Sequence, residues 1–139
     1  MFDFKFADSL LDAFGLKRRQ ALRIAVHWLV DVQVRDTEHF VGFYTQDMSL
    51  SGACLEANTP DAVERVRSPN RRVSMRVRLP PPYGVAEFKA ELKWERQKDD
   101  QVLTGWAFNR IDREARRVIA GYIEAHPEDV IQEPGEATS

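Results

Sequence analysis

The fold is decided by the stretch IAVHWLVDVQVR, residues 24–35, in which large apolar side chains occupy every second position. Successive side chains of a β-strand point to opposite faces, so this period of two predicts a long strand with one buried face. The side chains expected to face the core are Ile24, Val26, Trp28, Val30, Val32 and Val34. His27 falls on the opposite, more polar face, where we expect a solvated histidine and not a catalytic one.

Five further segments show the same alternation, and turn-forming residues such as Ser51-Gly52 and Asn58-Thr59-Pro60 separate them. They span residues 39–45, 53–57, 72–79, 87–96 and 102–108. In the segment 87–96 the alternation predicts that Phe88, Ala90, Leu92 and Trp94 face inward. This alternation favours burial of Trp94 in the core, and the alternative is that it forms an aromatic wall of a ligand site.

After Asn109 the apolar period becomes helical, and Asp112 is placed to cap the start of the helix. The apolar stripe consists of Ile111, Ala115, Val118, Ile119, Tyr122 and Ile123. Six antiparallel strands followed by one helix predict a mainly β protein, a closed six-stranded barrel with the helix over one end. A two-sheet sandwich is the alternative.

The ends of the chain differ from this central part. Phe6, Leu10 and Phe14 predict a short amphipathic helix over Phe2–Gly15, which either packs on the core or docks on a partner or a second copy. We therefore expect an N-terminal helix in residues 1–16, the barrel with its helix in residues 17–125, and an acidic disordered tail in residues 126–139.

Composition excludes several classes of protein. The 20 basic and 22 acidic residues give a net charge of -2, so no global field favours nucleic acid or a membrane surface. No apolar run is long enough to span a membrane, and the N-terminus does not resemble a secretory signal. Cys54, the one cysteine, fits a reducing cytoplasm and is expected to be a buried, inert thiol. The isolated histidines make a metal site improbable, and no cofactor is expected.

Catalytic motifs are also missing from the sequence. It contains no GxSxG, HExxH, P-loop or GxGxxG pattern. The acids Asp31, Asp36 and Glu38 are explained by a solvated turn. The sequence therefore predicts a protein that is not an enzyme.

Arginines supply 15 of the 20 basic residues, and several of them are spaced as RxxxR. Arg19 and Arg23 have this spacing just before the first strand, but about 1.6 such pairs are expected by chance. The other matches are Arg67/Arg71, Arg72/Arg76 and Arg113/Arg117. The stretch from Arg65 to Arg78 is expected to be a solvated surface, with a partner-binding surface as the alternative.

A second motif separates the first pair from the others. Residues 47–52, DMSLSG, match the pattern DxSxxG, which is expected only about 0.02 times by chance. RRxxxR at residues 18–23 together with DxSxxG between the second and third strands resembles the PilZ domain family, bacterial modules that bind cyclic di-GMP. The resemblance extends from Lys17 to Tyr122 and includes Leu79-Pro80 and the segment GWAF at residues 105–108.

The resemblance implies a cyclic di-GMP site. The implied ligand-binding residues are Arg18, Arg19, Arg23, Asp47, Ser49 and Gly52, with Trp94 as a possible addition. Arginines can bind phosphate and the guanine edge, and Asp47 can accept from guanine N1–H and N2–H₂. Gly52 is expected to let the backbone approach the ligand or to adopt a positive φ. The paired Arg18-Arg19 leaves open whether one or two ligand molecules bind.

The resulting hypothesis is a cytoplasmic receptor that changes the pose of its N-terminal segment on binding and signals to a partner protein. That partner belongs to motility, exopolysaccharide or secretion machinery, and the receptor is expected to be a monomer or weak homodimer. The first alternative is a PilZ-like scaffold that does not bind nucleotide. Single-stranded nucleic-acid binding and an undetected hydrolase rank below it, because the aromatics alternate inward and no nucleophile–base pair is evident.

Overall fold

The computed structural model describes residues 22–35, 37–68 and 71–131, and the backbone alone for residues 109 and 110. Six antiparallel strands close into a barrel in the order β1-β2-β3-β6-β5-β4. The strands are β1 (Leu29–Gln33), β2 (Phe40–Met48), β3 (Gly52–Ala57), β4 (Val73–Arg78), β5 (Val85–Lys98) and β6 (Gln101–Arg110). The helices are α1 (Pro60–Val66) and α2 (Arg113–Ala125), and a 3₁₀ turn follows at Pro127–Asp129. The barrel is confirmed, and the sandwich alternative is wrong.

The core fills the barrel with the alternating apolar residues that the sequence places on one face of each strand. Val30, Val32, Phe43 and Val77 are fully buried. α2 packs on β5, and its apolar stripe is buried as expected. Asp112 caps this helix by accepting a hydrogen bond from the Ala115 amide at 2.8 Å. The period of two thus predicts the strands and the helical period predicts α2, and burial of their apolar faces packs the helix on the barrel.

The first strand is shorter than residues 24–35. Only Leu29–Gln33 forms β1, and Ile24 pairs separately with Met48. The hydroxyl of Thr45 causes the interruption, because it accepts from the Trp28 amide at 2.8 Å and donates to the Val26 carbonyl. His27 is exposed, as expected, and its ring stacks on Tyr44 with centroids 4.6 Å apart.

Helix α1 was not expected, because Asn58-Thr59-Pro60 indicated only a turn. Thr59 caps the helix by accepting from the Ala62 amide at 3.3 Å, and Pro60 occupies the first turn. Val63 and Val66 form the buried face of this helix. A capping threonine, a proline and then an acid form a helix-start signal that was available in the sequence.

The prediction that Trp94 faces the core is wrong. Phe88 and Ala90 are buried, Leu92 is partly buried, and Trp94 is 43% exposed. The register of β5 against β6 shifts between Lys89 and Glu91 and again between Leu92 and Trp94. The second shift places Leu92, Lys93 and Trp94 of β5 opposite only two residues of β6. This extra residue breaks the strict alternation on which the prediction depended, so the strand presents Trp94 on the outer wall of the barrel.

The C-terminal segment is paired where a tail was expected to begin. Val130 forms a bridge with Ile24, and the Ile131 amide donates to the Arg23 carbonyl at 2.8 Å. These backbone pairs explain why residues 126–131 do not belong to a disordered tail. Residues 132–139, the N-terminal helix predicted over Phe2–Gly15, and Asp36 lie outside the described residues.

Candidate functional site

The centre of the candidate site is an ion pair between Arg23 and Asp47. Asp47 Oδ1 accepts from Arg23 Nε at 3.1 Å and from Nη2 at 2.6 Å. The side chains keep exposed fractions of 43% and 22%, respectively. Asp47 lies directly after a shift in the register of β2 against β3, between Thr45 and Asp47. The ion pair brings together one residue from each motif, whereas Arg18 and Arg19 lie outside the described residues.

Ser49 builds the turn between β2 and β3. It is buried, its amide donates to the Gly52 carbonyl at 2.8 Å, and its hydroxyl accepts from the Ser51 amide at 3.1 Å. A serine hydroxyl that bonds to the backbone two residues on is a common way to stabilise a tight turn. Ser49 thus fixes the path of the chain directly after Asp47. Its predicted contact with a ligand stays a prediction.

Gly52 is required for a reason that the sequence did not indicate. A Cβ at this position would overlap the carbonyl oxygen of Trp106 on β6, a backbone atom that cannot easily move. Gly84 is the glycine with a positive φ in the described part of the chain, so the second of the two alternatives for Gly52, a positive φ, is wrong, while a close approach of its backbone to a ligand stays a prediction. The glycine allows β3 to approach β6 closely beside the site.

A row of paired residues crosses four strands next to the ion pair. Asp47 of β2 is opposite Cys54 of β3, Cys54 is opposite Gly105 of β6, and Gly105 is opposite Trp94 of β5. The Trp94 indole covers Gly105 so closely that a Cβ there would clash with the ring. Trp94 therefore rests on the outer wall and does not enter the core.

A cavity of about 210 Å³ lies between the ion pair and this tryptophan. Its walls include Arg23, Ser49, Gly52 and Trp94, together with Lys93. Four of the seven predicted site residues thus surround one space, and Asp47 adjoins it through Arg23. A larger cavity of about 410 Å³ near Phe40 and Arg76 contains none of the predicted site residues.

Two basic residues of this surface were not predicted from the sequence. Lys93 borders the cavity, and the Arg96 guanidinium lies over the Trp94 ring, 5.6 Å from its centroid. Once Trp94 is known to face outward, the same alternation places Arg96 on the outer face as well. The missing signal was therefore the β-bulge and not the residue types.

The thiol of Cys54, in the middle of the row of paired residues, is buried beside charged side chains. Burial raises the pKa of the Cys54 thiol, and Asp47 raises it further, while Arg23 and Arg96 act to lower it. Cys54 is 7% exposed, so the expectation of a buried cysteine is confirmed, and its raised pKa keeps the thiol protonated at neutral pH.

Within the described ranges, no group of three or more His, Cys, Asp or Glu side chains could hold a metal ion. Over the same residues, neither helix is long and apolar enough to cross a membrane.

The fold and the site define a small β-barrel that carries its candidate site on the outer wall, where Arg23, the last residue of RRxxxR, contacts Asp47, the first residue of DxSxxG. The family model of the PilZ domain matches residues 17–125. The chain therefore belongs to the PilZ domain family. No curated protein matches the chain.

Solved structures share this fold at low sequence identity. The inhibitor of motility MotI/DgrA from Bacillus subtilis is 13% identical with a TM-score of 0.64, over 80% of this chain and 52% of that one. YcgR from Escherichia coli in complex with c-di-GMP is 17% identical with a TM-score of 0.60, over 79% and 46%. The PilZ domain of YcgR with c-di-GMP is 18% identical with a TM-score of 0.54, over 79% and 96%. The chain spans about half the length of the two larger proteins.

Proposed function

We propose that this protein is a cyclic di-GMP receptor that has no enzymatic activity. The observation that carries the proposal is the contact of Arg23 with Asp47, one residue from each family motif, beside a cavity with an exposed tryptophan. Membership of the PilZ family supports the proposal, as does the c-di-GMP named in two of the similar structures.

The chemistry of the site matches a guanine nucleotide. Both hydrogen bonds from Arg23 go to Oδ1 of Asp47, so Oδ2 receives none from that arginine. A carboxylate accepts well from guanine N1–H and N2–H₂, an edge that adenine does not offer. Arg23 can turn toward a phosphate or toward guanine O6 and N7. Trp94 and the Arg96 over its ring offer a base a face on which to stack.

The signalling step follows from where the motif lies in the chain. Arg18 and Arg19 precede Arg23 and belong to the segment that joins the barrel to the predicted N-terminal helix. Contacts of these arginines with a bound phosphate would fix that segment and change the pose of the helix. A partner protein in the cytoplasm, part of a motility, exopolysaccharide or secretion machinery, would then detect the change.

Isothermal titration calorimetry tests the binding step. We expect cyclic di-GMP to bind with micromolar or tighter affinity and cyclic di-AMP to give no binding heat, since Asp47 selects the guanine edge. Asp47→Ala should abolish binding, while Asp61→Ala, which removes an exposed acid from α1, should leave it unchanged. No heat from the unmodified protein with cyclic di-GMP near roughly 100 μM would contradict the proposal and favour the non-binding scaffold.

A further inference from the structure

The segment after α2 forms a short strand pairing beside the candidate site. Ile24 lies between two partners: it exchanges backbone hydrogen bonds with Met48 on one side, at 2.8 and 3.0 Å, and bridges Val130 on the other. The Ala25 amide donates to the Asp129 carbonyl at 2.8 Å, and the Ile131 amide donates to the Arg23 carbonyl at 2.8 Å. The C-terminal segment is thus hydrogen-bonded to the backbone of Arg23 and Ala25, the residues on both sides of Ile24.

Arg23 is consequently held at two places. Its carbonyl oxygen accepts from Ile131, and its guanidinium donates to Asp47. The guanidinium stands at the end of a flexible side chain, so its position relative to Asp47 depends on where the backbone of residue 23 is fixed. Since β1 begins only at Leu29, residues 23–25 depend on Met48 and on the C-terminal segment for their backbone partners.

The segment is itself anchored on α2. The Tyr122 hydroxyl donates to Asp129 Oδ2 at 2.6 Å, and the rings of Tyr122 and His126 stack with centroids 3.9 Å apart. Burial, followed by the bond to Asp129, raises the pKa of Tyr122 to about 12, so the hydroxyl keeps its proton at neutral pH. A continuous set of contacts therefore leads from α2 through Asp129 and Ile131 to Arg23.

The family match ends at residue 125, so this pairing segment lies outside the part of the chain that the PilZ model covers. We propose that residues 129–131 are positioning residues for the ligand site: their backbone pairing holds Arg23 beside Asp47, and pairing and ligand binding stabilise each other. The inference rests on the proposed cyclic di-GMP binding. Because such coupling is reciprocal, ligand must tighten the pairing by the same factor by which the pairing tightens ligand binding.

A matched pair of variants tests the positioning. Ile131→Pro removes the amide that donates to Arg23, whereas Ile131→Ala shortens the side chain and keeps that amide. We expect Ile131→Pro to weaken cyclic di-GMP binding about three- to tenfold relative to Ile131→Ala, the range of one net hydrogen bond. Calorimetry measures both affinities. Equal affinities within twofold would overturn the inference while leaving the receptor proposal intact, and an unmodified protein that does not bind would remove both.

Amide hydrogen exchange supplies the second measurement, one that a purely structural role would not move. In the unmodified full chain, saturating cyclic di-GMP should slow exchange of the Ile131 amide by about the same three- to tenfold factor. An exchange rate that ligand does not change would overturn the inference. If Ile131→Pro fails to fold, Tyr122→Phe replaces it, because it removes only the donor to Asp129. A binding loss of about twofold or more is then expected, and unchanged binding overturns the inference.

Discussion

Arg23 and Arg67 belong to the same kind of sequence pattern and both bind a carboxylate, yet they stand in different surroundings. Arg67 donates through Nε and Nη2 to the two oxygens of Glu95, each at 2.7 Å, and through Nη1 to Glu64. This cluster ties α1 to β5. Arg23 donates to a single oxygen of Asp47 and borders a cavity.

The difference lies in what each guanidinium can still bind. Hydrogen bonding to Glu95, more than the charge of that residue, raises the pKa of Arg67 above its usual value, and Glu64 adds to the effect. An anionic ligand at Arg67 would have to displace two carboxylates, whereas a ligand at Arg23 would displace one bond partner that can itself bind guanine. The RxxxR spacing is therefore uninformative until the acceptors around each arginine are known.

The largest expected effect comes from removing each arginine in turn. Arg23→Ala should weaken cyclic di-GMP binding by about a hundredfold or more, since charge-assisted hydrogen bonds to the ligand are lost and Asp47 loses its partner. Arg67→Ala should leave affinity within twofold and lower the free energy of unfolding by at most about 1 kcal/mol, because its ion pairs are exposed. Calorimetry and urea unfolding of both variants check this, and an Arg67→Ala variant that binds as poorly as Arg23→Ala would break the contrast.

Gly52 should affect the stability of the fold. Gly52→Ala is expected to lower the free energy of unfolding by about 2 kcal/mol, because the added Cβ meets the Trp106 carbonyl. Gly42→Ala is the control, since its Cβ would lie 3.2 Å from Cδ1 of Leu29, a side chain that can shift. Urea unfolding compares the two. Equal stability of the variants would show that β3 and β6 can separate without cost.

Trp94 should affect binding with little effect on stability. Trp94→Ala is expected to weaken cyclic di-GMP binding about five- to thirtyfold, the loss of one base stacked on an aromatic ring, or about 1–2 kcal/mol. The melting temperature should change little, because the side chain is 43% exposed. Trp94→Phe keeps a ring and should recover part of the affinity, whereas full affinity in Trp94→Ala would place the ligand away from this wall.

The smallest effect is a pH dependence confined to the Arg67 cluster. Hydrogen bonding to Arg67 lowers the pKa of Glu95 from its usual 4.5, so the carboxylate stabilises the fold above that pH and loses this contribution as the pH falls through the lowered value. The stability difference between the unmodified protein and Arg67→Ala should therefore shrink between about pH 6 and pH 3. Urea unfolding across this range measures it, and a difference that stays constant would contradict the assignment.

Much of the fold could be predicted from sequence because burial imposes period two on strands and period 3.6 on helices. The failures occur where local chemistry interrupts a period. The Thr45 hydroxyl bonds to the backbone of Trp28 and Val26 in place of regular strand pairing, so the first strand is divided. The register shift between Leu92 and Trp94 turns the Trp94 ring outward. The motif spacing predicted the contact of Arg23 with Asp47 only indirectly, by placing both residues in one proposed site. Lys93 and Arg96 were not predicted, since their position depends on an irregularity that the residue pattern does not indicate.

The outward position of Trp94 has an optical consequence. The chain contains three tryptophans, and the other two, Trp28 and Trp106, are 8% and 4% exposed. A soluble quencher such as iodide should therefore reach one indole and leave the emission of the other two nearly unchanged. A nucleotide that covers the wall would shield this indole, so quenching titrations can follow occupancy of the site in the unlabelled protein.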